Sequence, residues 1–121
     1  MSDTLENWKL DESKTCFHAD NCTFDLSEDG TSYTIKSSTS KEAIVDLNFT
    51  RSCPGVVVGK DGSTYYGTDP AQPWGKMRHA FWPRCRVEGS ILTQGGEIPM
   101  KGIGMLSHAL QGIKPNFAGL W

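Results

Sequence analysis

Between Lys41 and Arg51 the chain reads Lys41-Glu42-Ala43-Ile44-Val45-Asp46-Leu47-Asn48-Phe49-Thr50-Arg51. In an extended chain, Ala43, Val45, Leu47 and Phe49 fall on one face, and Asp46, Asn48 and Thr50 on the other. Only Ile44 breaks the alternation. A two-residue period held over this length marks an antiparallel strand with one side buried and one side wet. A helix would repeat its apolar positions every three or four residues instead. The stretch therefore predicts one half-buried antiparallel strand, the clearest in the chain.

The sequence on either side extends that reading. Upstream, Cys22, Phe24 and Leu26 alternate with Thr23 and Asp25. The polar run Ser27-Glu28-Asp29-Gly30 follows, and Tyr33 and Ile35 then alternate with Ser32, Thr34 and Lys36. Asp-Gly between two alternating runs is a strong hairpin signal. Downstream, Ser52 to Gly75 is punctuated by Cys53-Pro54-Gly55, Lys60-Asp61-Gly62, Asp69-Pro70 and Pro73-Trp74-Gly75, all turn formers. Val56-Val57-Val58 and Thr64-Tyr65-Tyr66 fit short edge strands within it. Two strands are expected next, Met77 to Trp82 ending at Pro83 and then Arg84 to Leu92. A turn at Gln94-Gly95-Gly96-Glu97 and a returning strand from Ile98 to Met105 complete the pattern. Leu110, Ile113, Phe117 and Leu120 have roughly helical spacing, but Gly112, Pro115 and Gly119 oppose a long helix there. Roughly six or seven short strands joined by tight turns predict an all-β antiparallel meander, part of an up-and-down barrel, in one domain.

Composition removes several classes of function. The chain has 121 residues, with 12 Lys and Arg against 14 Asp and Glu, and a net charge of −2. Its pI is near 5.9. Lys76, Arg78, Arg84 and Arg86 form a sparse basic cluster. Nucleic-acid binders concentrate positive charge on one face, so no nucleic-acid partner is expected. No stretch approaches the roughly 20 apolar residues of a transmembrane helix. Met1 to Leu10 has neither the basic nor the apolar region of a secretory signal. A cytoplasmic protein with reduced Cys16, Cys22, Cys53 and Cys85 is the expectation.

Four stretches carry a family resemblance. They are Phe17-His18-Ala19-Asp20-Asn21-Cys22 with the run Leu26 to Ser37; Asp61-Gly62-Ser63-Thr64-Tyr65-Tyr66-Gly67-Thr68-Asp69-Pro70; Pro73-Trp74-Gly75-Lys76-Met77-Arg78-His79-Ala80-Phe81-Trp82-Pro83-Arg84-Cys85; and His108-Ala109-Leu110-Gln111-Gly112-Ile113-Lys114-Pro115. In order and spacing they resemble the fungal survival-factor (cell survival pathways) family, and the run from Pro73 to Cys85 is the most specific. The resemblance implies two lipocalin-type (calycin) barrels in tandem. It also implies survival under oxidative stress, and ceramide movement between endoplasmic reticulum and Golgi membranes. It further implies a cytosolic, partly nuclear protein that reaches membranes through an N-terminal amphipathic segment. Members of the family are several times longer. Residues 1–121 are therefore expected to be part of the first barrel, without the membrane-binding segment and the second barrel. Open strand edges left in this way would invite self-association.

A sphingolipid site needs an apolar surface with a few placed polar groups. Tyr65, Tyr66, Trp74, Met77, His79, Phe81, Trp82 and His108 are the candidates, because Tyr and Trp join apolar bulk to a hydrogen-bonding tip. The plainer account is that most of them fill the barrel interior or plug its end. Cys16-x-His18-x-x-x-Cys22 gathers three soft donors, but the spacing matches no usual zinc pair, so no metal is expected. Cys85, between Arg84 and Arg86, has the charge setting of a reactive thiolate. Asp69, His79 and Tyr66 offer acid–base groups, yet no nucleophile–base spacing, phosphate loop or paired carboxylates accompany them. The expected function is a non-enzymatic carrier of a ceramide-like lipid, needing no cofactor. The alternatives are a stress-response interaction module that holds no lipid, and a lipid-modifying enzyme of lipocalin-like architecture.

Overall fold

The computed structural model describes residues 6–13 and 15–112. Every regular element among them is a strand: β1 Lys9–Leu10, β2 Phe17–Ala19, β3 Cys22–Leu26, β4 Ser32–Ser37, β5 Ala43–Arg51, β6 Val56–Val57, β7 Ser63–Tyr66, β8 Gly75–Thr93 and β9 Gly96–Gln111. Two compact units divide the chain. One takes Met1–Ser52 and Arg84–Gly104, the other Cys53–Pro83 and Met105–Trp121.

In the first unit the strands lie in the order β1-β2-β3-β4-β5-β8. The pairing is antiparallel throughout, so residues opposite one another share a face. The register sets Phe17 against Phe24, Phe24 against Ile35, Ile35 against Leu47, and Tyr33 against Phe49. Phe49 then meets Val87, and Val45 meets Ile91. One face of this sheet is therefore continuously apolar. The other carries Lys36 paired with Asp46 at 3.4 Å, and His18 bound to Asp25. Asn48 donates to Thr34 Oγ1 on the same side, at 3.3 Å.

The β3–β4 connection forms as its Asp-Gly pair predicts. Ser27 N–H donates to Ser32 C=O at 2.9 Å, and Gly30 turns the chain with φ 66°. Asp29 accepts from the Ser27 hydroxyl and from Thr31, which holds its carboxyl below its ordinary value. Ahead of β2, Asp11 accepts from the N–H groups of Thr15 and Cys16. The Tyr33 hydroxyl donates to Thr15 C=O at 3.0 Å and ties this loop to β4.

In the second unit, β6 and β7 each pair with β8. Val56 faces Phe81 and Val57 faces Ala80. Ser63, Thr64, Tyr65 and Tyr66 face Arg78, Met77, Lys76 and Gly75. The C-terminal stretch joins in through Gly112 N–H, which donates to Lys76 C=O at 2.7 Å.

Three expectations change. β1 and β2 were not anticipated, because two and three residues are too few to display a period. The two strands expected on either side of Pro83 are one, β8. β6 pairs residues 80–81 and β5 pairs residues 85–93, so Pro83 falls between the two ladders, where its missing N–H is tolerated. β9 runs on to Gln111, so Leu110 belongs to a strand. Ile113, Phe117 and Leu120 lie outside the described residues.

Candidate functional site

Every candidate lipid-contact residue falls in the second unit. Alternation along β7 and β8 sorts them by face. Met77, His79 and Phe81 share one side of β8. Thr64 stands opposite Met77 on that side and Tyr66 opposite Gly75, where glycine leaves room for the phenol ring. The Tyr66 hydroxyl reaches the Met77 sulfur at 3.7 Å. Trp74 is held over Tyr66 by its backbone, which donates from N–H to Tyr66 C=O at 2.9 Å. The two rings lie 5.7 Å apart. His79 stacks on Phe81 at 6.0 Å and 18° between planes. Val56, opposite Phe81, adds an exposed apolar side chain to the same face. Tyr66, Met77, His79 and Phe81 are all half-buried, and Trp74 remains 60% exposed. These residues make a strip of apolar surface with two polar atoms groups in it, the phenol and the imidazole.

The remaining candidates are placed elsewhere. Tyr65 is on the opposite face, where its hydroxyl donates to Asp61 Oδ2 at 2.9 Å and Lys76 Nζ lies 5.2 Å from its ring centre. The Tyr65 hydroxyl is the main cause of Asp61's lowered pKa. Trp82 also lies on the far side of β8 by alternation. Its indole packs against Gly55, where an added Cβ would come within 3.1 Å of the ring. His108 is exposed on β9.

The groups weighed for thiol, metal and acid–base chemistry fall in different places. Asp69 accepts from Ala71 N–H at 2.9 Å and is engaged in its own turn. Cys85 is completely buried on the apolar face of the first unit, whereas Arg84 and Arg86 point the other way. A thiol in that setting is inert, so the charge of its neighbours misled. His18 and Cys22 occupy opposite faces of the β2–β3 pair, which separates the soft donors of the Cys16–Cys22 stretch.

What sequence reasoning overlooked is the apolar face of the first unit, from Phe17 through Phe24, Tyr33, Ile35 and Leu47 to Phe49. The signal was present in the alternation of β3, β4 and β5, but registers between strands were needed to join the three stripes into one surface. Its residues are mostly half-buried. Among the described apolar residues only Cys22, Cys85 and Val87 are buried.

Comparison with known proteins places these faces in context. The family model described as the Svf1 family matches residues 1–121. A protein named ceramide-binding protein svf1 from Aspergillus fumigatus is 56% identical over 97% of this chain and 30% of its own length. Its namesake in Emericella nidulans is 53% identical over 98% of the chain and 31% of that protein. The one in Schizosaccharomyces pombe is 41% identical over 99% and 32%. The chain thus spans about 30% of the length of the curated relatives it matches. Among solved structures, a Nitrosomonas europaea protein assigned as AttH superposes with a TM-score of 0.66 at 22% identity, covering 84% of this chain and 30% of that one. That likeness bears on the fold, an antiparallel all-β architecture of lipocalin-like type.

Proposed function

This chain belongs to the Svf1 family, and from that premise we propose that it is part of a ceramide-binding protein that carries its lipid without chemically altering it. In this reading residues 1–121 form part of the first of two tandem calycin-like barrels. The observation that carries it is the strip formed by Tyr66, Trp74, Met77, His79 and Phe81, apolar side chains left half-exposed on one face of a sheet. Such a surface suits a ligand with long hydrocarbon chains and a small polar head. Each methylene removed from water contributes about 0.8 kcal/mol, so two long chains bind firmly without specific chemistry.

The wider role in this reading is the one the family resemblance implies. Ceramide is almost insoluble in water, so a protein that shields its chains serves to move it between membranes. We place this protein in the cytosol and at the surface of endoplasmic reticulum and Golgi membranes, with a share in the nucleus, acting in the oxidative-stress response. No catalytic role is assigned, since Asp69 is held in its own turn and Tyr66 meets a thioether.

Native mass spectrometry of this chain and of the longer Aspergillus fumigatus relative, each exposed to ceramide, tests the reading. Ceramide retained by both supports it and places contacts within this chain. Retention by the longer protein alone puts the binding surface outside this chain. Retention by neither overturns the reading in favour of a module that works through partner proteins.

A further inference from the structure

The chain has three tyrosines, and the structure uses them differently. Tyr33 donates to a backbone carbonyl and Tyr65 to a carboxylate. Both are good oxygen acceptors. Among the described residues the Tyr66 hydroxyl meets only the Met77 sulfur, at 3.7 Å. A thioether is a weak acceptor and offers the phenol oxygen nothing to accept in return. The histidines divide in the same way. His18 is engaged by Asp25, whereas the ring nitrogens of His79 have no hydrogen-bond partner among the described residues and the ring contact is with Phe81. Polar groups of this kind are met by water where no protein atom serves them, and a ligand's polar atoms can take that water's place. Two such groups therefore stand on the same apolar strip with their hydrogen-bonding capacity still open.

Their placement is specific. The Tyr66 hydroxyl lies beside Met77, and His79 is the next residue along β8 on that face, about 6.8 Å further by strand geometry. Trp74 closes over Tyr66 at one end and Phe81 backs His79 at the other. Ceramide has an amide and two hydroxyls on three adjacent carbons, from which two hydrocarbon chains depart. The phenol can donate and accept, and a neutral imidazole can do both through its two nitrogens. We propose that the Tyr66 hydroxyl and the His79 imidazole are the pair that reads the amide and hydroxyls of ceramide, while Trp74, Met77 and Phe81 pack the first part of its chains. The assignment rests on the carrier reading and gives it a source of specificity, since apolar packing alone would accept any long-chain lipid.

The test compares ceramide with methyl palmitate, a long-chain ester lacking the amide and hydroxyls, on this chain and on two variants. Tyr66→Phe removes one oxygen. His79→Phe removes both nitrogens and keeps an aromatic ring against Phe81. Each variant is expected to bind ceramide about tenfold more weakly and to lose much less affinity for the ester. Unchanged ceramide affinity in both variants overturns the assignment. So does a parallel loss for ceramide and ester, which would mean that the side chains only pack. If His79→Phe lowers the melting temperature, Tyr66→Phe decides alone. A parent chain that binds the ester as tightly as ceramide also overturns the assignment but leaves an unselective carrier, whereas one that binds neither removes the carrier reading itself.

Discussion

Gly89 sits opposite Leu47 in the β5–β8 ladder with φ 132°, a conformation closed to residues with a side chain. An added Cβ would come within 2.1 Å of the Asp46 carbonyl oxygen, so β5 would have to move. Gly89→Ala is expected to destabilise the first unit by at least about 1–3 kcal/mol, the typical range for a strained backbone, read as a fall in melting temperature. Ser63 is the opposite case. It is 6% exposed and its hydroxyl has no hydrogen-bond partner among the described residues. Removing a buried group that gains nothing is neutral or favourable. Ser63→Ala should therefore melt at the same temperature or higher, and a clear drop would reveal a partner for the hydroxyl. Asp29 links residue chemistry to pH. Hydrogen bonds from the Ser27 hydroxyl, and then from Thr31, lower its pKa from 3.8 on folding. The stabilisation it gives is complete above 3.8 and disappears as pH falls through the lower folded value. Asp29→Ala should melt below the parent chain at neutral pH, and the difference should shrink as acid protonates the carboxylate.

At the scale of elements, legibility followed the regularity of the alternation. β5, nine residues long, alternates so regularly that it was the clearest strand in the sequence. The β3–β4 hairpin was readable because Asp29-Gly30 supplies the turn and apolar residues alternate on both sides. β1 and β2 carry no period of their own and exist because a neighbouring strand offers a ladder. Pro83 was read as a break because local sequence cannot show where one ladder ends and another begins. For the site, residue type picked out the aromatics of the Tyr65–Trp82 region but could not choose their faces. The β7–β8 register put Tyr66 with Met77 and Tyr65 with Lys76. The attachment of the short strands can be tested. Tyr33 is half-buried, and burial is the main reason its pKa is raised. Its hydroxyl ties Thr15 to β4. Tyr33→Phe should lose about 1 kcal/mol of local stability. Faster amide exchange over residues 9–19, with β5 unaffected, would show that this bond secures β1 and β2. Equal exchange in both proteins would assign that task to the strand pairing alone.

At the scale of the whole molecule, the balance of buried and exposed apolar surface predicts how the chain behaves in solution. The sheet of the first unit is apolar on one side, yet few of its residues are fully withdrawn from water. Exposed apolar surface of this extent drives association unless something covers it. β9 adds a second cause. Among the described residues it pairs with β8 alone, and its stretch in the first unit bears Ile98, 50% exposed, and Ile103, 73% exposed. Natural sheets protect such an edge with charge, proline or a covering element. Pro99 supplies part of that protection by removing one N–H. Ile103 stands unguarded. We therefore expect lipid-free protein to self-associate reversibly, with a light-scattering mass above the 13.3 kDa of one chain that rises with concentration. Ile103→Lys should lower that mass while leaving the melting temperature nearly unchanged, because a residue so exposed contributes little to the fold. If association runs through the apolar face instead, Ile103→Lys will have no effect on the mass. A chain that stays monomeric at every concentration and melts in one cooperative step would show that neither surface is adhesive.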